Sequence, residues 1–455
     1  MTSLKQVLGG DYRQFTMVFA LVALLLGFNI ASDGRMLTPS NFQNLLSGNA
    51  YVLILAIGMV MVIVIGQIDL SVGSVAGVVG MVVALTSRDW GIPWWAATLL
   101  GLAVGVLIGM WHGFWLAKIG IPGFITTLAG MMIFRGVVIW MSQSISVPVP
   151  DELRVLGSGY LPEWGPAFTQ MNNSTLLLGL LGIAAFAWGE LRKHRRLVAS
   201  GEEESIPLWP VLVRVLLVAA VIGYVTWLFG SGRPGTSFPV PGLILVALVI
   251  VYHTITQRTT FGRHIYAVGG NRAAAALSGV DTKRTYFLVM TNMSFLAALA
   301  GIMFVGRATS AGPSDGTAWE LDAIAAVFIG GAAVSGGIGT VLASMVGGLV
   351  MAVLNSGLML MGVGADRTQV IKGLVLLAAV AFDVYNKEQG RPSITGLLFG
   401  RKAASGPSLP EAPNAPAEPA GAGPVMPDLG AVEPPASGPA AEPAVPVRTR
   451  ARGSS

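Results

Sequence analysis

Long apolar runs separated by short polar breaks extend from Thr16 to Tyr385. Runs long enough to cross, or nearly cross, about 30 Å of hydrocarbon lie near 16–31, 50–66, 71–86, 94–116, 122–141, 176–189, 208–229, 242–256, 286–305, 321–334, 340–361 and 368–385. Segments surrounded by lipid must satisfy their own backbone hydrogen bonds, and a helix does so within one stretch of chain. The pattern therefore predicts an all-α, polytopic membrane helical bundle of about 12 spans (10–12), with the transmembrane domain over residues 16–388. The runs at 71–86 and 321–334 are glycine-rich and bordered by breaks. Either is a candidate for a broken or re-entrant helix buried in protein.

Composition supports a membrane chain. Of 455 residues, 53% are hydrophobic and 11% charged, against roughly 25% charged in a soluble domain. With no cysteine, disulfides and Cys-ligated zinc or iron–sulfur centres are excluded. The net charge of +5 would point to nucleic acid in a soluble protein, but here the basic residues gather in particular loops and no nucleic-acid partner is expected. With the amino terminus inside, most Lys and Arg fall in cytoplasmic segments, and no outer loop holds more than one. That bias places both termini in the cytoplasm, residues 1–15 forming the amino-terminal segment. The first apolar run is followed by Ser32-Asp33-Gly34-Arg35, which lacks a small-residue cleavage pattern and reads as an uncleaved span. From Ala403 the chain becomes Ala, Pro, Gly and Glu, too poor in apolar side chains to offset its ordering entropy. Residues 403–455 are expected to be a disordered cytoplasmic tail, whose basic end VRTRARGSS suits contact with anionic membrane lipid.

Candidate chemistry is sparse. Gly101, Gly105, Gly109 and Gly113 recur at every fourth residue, laying a strip without side chains along one face of a span, where another helix can pack closely. Asp69, within GQIDLSVGS, falls near the cytoplasmic boundary and suits a helix cap. Proton or sodium coupling is the functional alternative, but no second acid or His accompanies it in that stretch. Arg135, Arg214 and Lys372 lie inside predicted spans. Arg214 and Lys372 are near enough to an end to snorkel, whereas Arg135 needs a partner. The histidines show no metal-ligand spacing, and neither GxxxxGK[ST] nor GxSxG occurs. No catalytic residue, metal or cofactor is therefore assigned to this chain.

The basic inner loop, residues 257–285 within TQRTTFGRHIYAVGGNRAAAALSGVDTKRTY (256–286), is more informative. Asn271 is a good N-cap, Arg272–Leu277 a helix-forming run and Gly279 a suitable stop. One short helix outside the bilayer is predicted. Its small residues Ala274 and Ala275 suit a face that seats in a groove on a cytoplasmic partner.

Four segments, in order, carry a resemblance: GQIDLSVGSVAG (66–77), FGRHIYAVGGNRAAAALSGVDTKR (261–284), IGGAAVSGGIGT (329–340) and NSGLMLMGVGADRTQVIKG (355–373). They resemble the ribose/xylose-type permeases of bacterial ABC sugar importers over roughly residues 16–388. The apparent extra span pair around ELRKHRRLVASGEEES is similar to the xylose and multiple-monosaccharide branch. The family usually has Gly where this chain has Gln67, and the tail falls outside the likeness. The resemblance implies a bacterial inner-membrane permease subunit translocating a monosaccharide, xylose or related sugars. It also implies a permease homodimer, a periplasmic sugar-binding protein and a separate cytoplasmic ATPase that binds ATP and Mg. On that likeness, Arg263, Gly269, Gly270, Asn271, Ala274, Ala275, Ser278 and Gly279 contact the ATPase. Asp69, Ser71, Gly73, Ser335, Gly336, Gly337 and Gly339 form an inner gate region, and Asn355 belongs to the translocation pathway. LSVG and VSGG are expected to be counterparts in a weak internal repeat, an expectation that rests on four residues.

Two other readings stay open. An amino-acid permease of a related ABC importer has similar architecture. An ion-coupled secondary transporter would need a pair of broken helices and buried acids, and the sequence supplies only the first. Topology mapping is expected to place 142–175 and 306–320 outside and 190–207, 257–285 and the tail inside; an outside tail would show a miscounted span. Deletion after Lys402 is expected to leave transport largely intact, and joint loss of folding and uptake would overturn the disorder argument.

Overall fold

The computed structural model describes residues 12–388 apart from 167, 168, 170, 201–207, 233 and 234. Most of the expected amino-terminal segment, residues 201–207 at the end of the 190–207 loop and the tail 403–455 lie outside the described residues. Every predicted apolar run corresponds to a helix. The first five are α1 (Tyr12–Ala31), α2 (Pro39–Val64), α3 (Val72–Asp89), α4 (Trp94–Phe114) and α5 (Gly123–Ser142). A short α6 (Arg154–Ser158) precedes the pair α7 (Asn173–Ser200) and α8 (Trp209–Gly230), then α9 (Val240–Arg258). Two shorter helices, α10 (Thr260–Gly270) and α11 (Arg272–Leu277), lead to α12 (Thr282–Ala308). The chain closes with α13 (Trp319–Ile329), α14 (Val341–Leu360) and α15 (Ala365–Glu388). A minimal antiparallel pair, β1 (Val147–Pro148) with β2 (Ser310–Ala311), joins two loops.

Among the described residues, nine helices are long and apolar enough to cross a membrane. The apolar part of α1, Met17–Ala31, is shorter. Helix α13 has 11 residues, about 16 Å at 1.5 Å per residue, and covers only half the hydrocarbon. The chain is thus a multi-pass helical bundle.

Helix α2 is the centre of the core. From Val52 to Val64 all its side chains are buried, as expected for a helix that is apolar on every side. It packs against α9, α12, α13 and α14. Helix α12 in turn packs against α2, α3 and α4. The contact with α4 runs along the predicted glycine strip. A Cβ added at Gly109 would lie 2.7 Å from Thr291 Cα, and one at Gly113 2.9 Å from Phe287 O. Gly101 faces Val79 and Val83, and Gly105 faces Ala298. These glycines let the two backbones touch, which is the main attraction left between helices when lipid removes the hydrophobic drive.

An inverted pattern relates the two halves. Gly48 and Gly58 of α2 meet Arg307 and Met293 of α12, so these helices run antiparallel. Helix α4 packs on α12 and α3, and α14 correspondingly packs on α2 and α13. Each half contains one interrupted helix start: Gly66-Gln67-Ile68-Asp69-Leu70-Ser71 before α3, and Gly312-Pro313-Ser314-Asp315-Gly316-Thr317 before α13. Both read Gly-x-x-Asp-x-Ser/Thr. This corrects the expected repeat, because VSGG follows α13 and the counterpart of the Asp69 segment is 312–317.

Two of the intramembrane cations also differ from expectation. Instead of snorkelling, Lys372 Nζ donates to both carboxylate oxygens of Asp322 at 2.7 and 2.9 Å, joining α15 to α13. Arg214 pairs with Glu190 at 2.7 Å, joining α8 to α7. A charge can avoid the trip to the interface when a neighbouring helix supplies the opposite one. The α7–α8 pair attaches to α2 largely through α8, where Gln43 Nε2 donates to Phe229 O at 2.7 Å and the Phe42 and Phe229 rings lie 5.2 Å apart.

The glycine seam yields a stability prediction. Gly109→Ala is expected to lower stability by about 1–3 kcal/mol through overpacking against a backbone. Gly223→Ala on α8, where an added Cβ meets nothing within 4 Å, should be neutral or slightly stabilising from helix propensity. Thermal unfolding of the detergent-solubilised protein checks the pair, and equal melting temperatures would show that the seam tolerates separation.

Candidate functional site

The first interrupted segment starts where α2 ends. Gly66 takes a left-handed φ of +76°, a conformation cheap only for glycine, and turns the chain into the extended stretch that precedes α3. Extended backbone away from water needs partners, and α5 supplies them. Gly123 N donates to Gln67 Oε1 at 2.9 Å and Leu70 N to Thr127 Oγ1 at 3.2 Å, while Thr127 Oγ1 donates to Ile68 O at 3.2 Å. Asp69 Oδ1 accepts from Ser71 N at 2.8 Å and Ser71 Oγ at 2.6 Å. Asp69 and Ser71 are both fully buried. The expected boundary position of Asp69 is therefore corrected: α3 begins inside the bundle, where Ala76 packs on Gly301 in the second half of α12.

The second interrupted segment comes from the opposite half. Asp315 Oδ2 accepts from Gly312 N at 2.7 Å, and Arg135 Nη1 of α5 donates to Asp315 O at 2.7 Å. That carbonyl is the partner Arg135 was expected to need. The two segments meet where Gly73 lies against the Gly316 backbone and the Glu320 carboxylate. Glu320 and Asp322, in the first turn of α13, are buried. His112 of α4 is also fully buried, its ring edge-on to Phe134 of α5. Asp69 Oδ2, Glu320 Oε2 and both His112 ring nitrogens have no hydrogen-bond partner among the described residues. A buried acid, Glu320, thus stands against Gly73 at the start of α3, brought by α13 and not by the Asp69 stretch itself.

The basic loop faces the same carboxy-terminal end of α2 from which the 66–71 segment departs. Where one helix was predicted, two form, because Thr259 caps an additional helix by accepting from Gly262 N at 3.2 Å. Helix α10 buries Ile265 and Val268 against the bundle. The second helix, α11, has the predicted cap: Asn271 Oδ1 accepts from Ala274 N at 3.0 Å. Ser278 Oγ donates to Ala274 O at 2.9 Å, and Gly279 ends the turn at φ +83°. Arg272 lies over the Tyr286 ring at 5.1 Å, fixing α11 to α12. Ala275 departs from expectation, since it is 5% exposed and packs inward. Ala274 and Arg263 face outward. Leu277, which sequence reasoning did not single out, is 91% exposed.

Gly269 and Gly270, expected on the partner-facing side, instead join this loop to the glycine-rich turn between α13 and α14. Gly269 lies on the Val64 carbonyl, and Gly337 N donates to that same carbonyl at 2.8 Å. Gly336 lies close to Gly269 O and Gly66, and Gly339 against Val60 and Val64. Tyr266 Oη donates to Gly339 O at 2.6 Å. Burial pushes the Tyr266 phenol above its usual pKa, so it stays a donor. Ser335 is exposed. The expected gate residues therefore occupy two places. Asp69, Ser71 and Gly73 face Gly316 and Glu320, whereas Gly336, Gly337 and Gly339 sit at the end of α2, with the 66–71 segment running between them. Asn355 Nδ2 donates to Asn49 Oδ1 at 3.5 Å, linking α14 to α2.

The acids missed at the sequence level had a visible signal. Glu320 and Asp322 stand in WELDA, just where a glycine-rich run begins, and charged residues at such a position mark either an interface or a buried site. His112 had none, because its neighbours are set by the α4–α5 packing. Among the described residues no group of three or more His, Asp or Glu side chains is placed to hold a metal ion.

Comparison with known proteins places this architecture. The family model described as "Branched-chain amino acid transport system / permease component" matches residues 41–380. The xylose transport system permease protein XylH of Haemophilus influenzae is 34% identical over 390 residues, covering 86% of this chain and all of that protein. The protein of the same name in Escherichia coli strain K12 is 36% identical, covering 82% of this chain and 92% of the relative. The ribose import permease protein RbsC of Escherichia coli strain K12 is 32% identical, covering 81% and 94%. No solved structure matches the chain. With most of its described helices inside the matched region, the chain belongs to the branched-chain amino acid transport system permease family.

Proposed function

We propose that this chain is the membrane-spanning subunit of an ATP-driven importer that carries a monosaccharide, xylose or a related sugar, across the bacterial inner membrane. The similarity to a xylose permease along that relative's whole length carries the reading. In this proposal a periplasmic binding protein delivers the sugar, two permease copies enclose the passage, and a separate cytoplasmic ATPase binds ATP and Mg. The chain itself breaks no covalent bond.

The fold supplies a physical route for coupling. Helix α11 is capped at its start, stopped by Gly279 and pinned to α12 through Arg272 and Tyr286. A six-residue helix has little stability of its own, so these attachments make it rigid enough to transmit a push. Leu277 is the apolar residue an ATPase groove would take, since a large side chain that is 91% exposed gains most from a partner. Motion of α11 reaches α10, and through Tyr266 and Gly269 it reaches the glycine turn and the end of α2.

Buried acids beside two interrupted helix starts favour a second reading, ion-coupled secondary transport. The two readings separate in proteoliposomes. Uptake that requires ATP, the ATPase and the binding protein and survives a protonophore and sodium removal supports the first; uptake driven by an ion gradient without ATP supports the second.

The coupling assignment has its own test. Ala274→Glu and Leu277→Asp are each expected to lower binding-protein-stimulated ATP hydrolysis and ATPase co-purification by about tenfold, equivalent to 1.4 kcal/mol. Asn271→Ala should have a milder effect, costing about 1 kcal/mol of local helix stability. If both charged variants bind and stimulate the ATPase as the parent does, the loop sets orientation only.

A further inference from the structure

Helix α7 is longer than the bilayer is thick and changes character near its end. Its 28 residues span about 42 Å at 1.5 Å per residue, against about 30 Å of hydrocarbon. The stretch from Asn173 to Gly189 carries no charge, and Arg192, Lys193, Arg195 and Arg196 follow within the next two turns. All four are exposed, and among the described residues none is in an ion pair.

The pairing of α7 with α8 fixes which side of the bundle carries this run. Gly179 lies against Thr226, Gly182 faces Ile222 and Glu190 pairs with Arg214, so the helices run antiparallel with the end of α7 level with the start of α8. The far end of α8 sits on the amino-terminal part of α2, where Gln43 donates to Phe229 O. The basic run therefore lies on the side of the carboxy-terminal end of α2 and of α10 and α11, which the excess of Lys and Arg marks as cytoplasmic.

The direction of these side chains is as informative as their charge. Gly179, Gly182 and Glu190 face α8. On the other face Leu181, Trp188, Arg192, Arg195 and Arg196 fall within about a 100° arc at 3.6 residues per turn, so an exposed apolar track leads up to exposed cations. The Arg192 guanidinium lies over the ring of Trp188 at 5.0 Å, and that ring is 64% exposed. Stacking of this kind orients the guanidinium and leaves its N–H edge free for a phosphate. Trp is a side chain that settles at the headgroup level of a membrane. Complementing the dipole at a helix carboxy terminus, or setting orientation, needs only positive charge near the end. Neither calls for cations aligned over an apolar track with one of them stacked on an indole.

We propose that this outward face of α7 is a binding site for an anionic phospholipid of the cytoplasmic leaflet. Arg192, Arg195 and Arg196 hold the headgroup phosphate, and the acyl chains run along Trp188 and Leu181. Guanidinium groups pair with phosphate through two parallel N–H bonds, and each Lys or Arg near an anionic membrane surface strengthens attachment. A second copy of the chain is a poorer occupant, because a two-fold contact uses the same patch on both subunits and would set the basic run against itself. The site goes beyond the transport reading and does not depend on what is carried. It gives the α7–α8 pair a second hold, on the side opposite the Gln43–Phe229 bond.

The chain has no cysteine, so Ala185→Cys gives one thiol at an exposed position of the same face, about 10 Å from Arg192 along the axis at 1.5 Å per residue. The full-length permease carrying a fluorophore there is reconstituted in vesicles of phosphatidylglycerol and phosphatidylcholine in equal parts, with bromine on the acyl chains of one lipid or the other. Bromine quenches on contact, so the ratio of the two quenching strengths reads which lipid occupies the face. The expected result is a preference for phosphatidylglycerol of about fivefold, the size of one Lys or Arg contact with an anionic surface. It should fall below about twofold near 1 M salt, where charge is screened within a few ångström. The quadruple variant Arg192→Gln, Lys193→Gln, Arg195→Gln, Arg196→Gln should lose it to the same extent. Changing the three arginines to Lys instead keeps the charge that orients the chain, and should keep most of the preference. Free glycerol phosphate at millimolar concentration should leave the parent's preference unchanged, because it lacks the chains that lie on Leu181. Equal quenching by both lipids, or a preference that survives both high salt and the Gln variant, overturns the proposal. So does a fluorophore that neither lipid quenches, which would show the face covered by another chain. Loss of the preference to glycerol phosphate would show a site for a soluble phosphate and overturn it equally.

Discussion

A peptide group inside a bilayer has no water to bond, and most of this fold follows from that constraint. Continuous helices meet it unaided. The two interrupted starts do not, and each is surrounded by donors and acceptors placed for it. Thr127 serves the backbone of the stretch before α3, Gln67 of that stretch accepts from Gly123 N at the start of α5, and Arg135 serves the carbonyl of Asp315 before α13. Helix α5 supplies partners to both interruptions, so it is tied to both halves of the inverted pattern. The amount of polar side chain committed to these breaks indicates that a continuous helix would not serve the same purpose.

The second organising element is the antiparallel contact of α2 with α12, with α4 and α14 laid against it from either half. Glycine sets the distance at several of these crossings. Lipid is as apolar as any side chain, so the helices are held by close van der Waals fit and a few polar ties. Lys372–Asp322, Arg214–Glu190 and Tyr252 Oη donating to Asn292 Oδ1 at 2.6 Å are ties of this sort.

Much of this was legible in the chain. Apolar run lengths located every long helix, and the spacing of Gly101, Gly105, Gly109 and Gly113 announced the seam with α12. The Asn271 cap and the Gly279 stop could be read because capping is a local interaction between neighbours in sequence. Other features were hidden for a common reason. The pairing of Lys372 with Asp322, the meeting of Glu320 with Gly73 and the inward face of Ala275 all depend on which helix lies opposite, and a hydropathy pattern says nothing of that. Helix α10 was missed because its three glycines, Gly262, Gly269 and Gly270, weaken helix propensity. Burial of Ile265 and Val268 overrides that preference. The Gly-x-x-Asp-x-Ser/Thr repeat was present in the letters but too short to recognise without the architecture that makes its two copies equivalent.

The joint between the partner-facing loop and the bundle is slender. Among the described residues, Tyr266 donates to Gly339 O and ties the loop to the glycine turn, Gly337 N fastens that turn to Val64 O of α2, and Arg272 over Tyr286 reaches α12; Gly336 and Gly337 of the turn are in left-handed conformations. At about 1 kcal/mol net for each hydrogen bond, the joint is weaker than the helices on either side of it. It therefore behaves like a mechanical fuse. A thrust applied while the bundle cannot yield would part this seam first, sparing α2 and α12, and the seam could re-form once the load is removed.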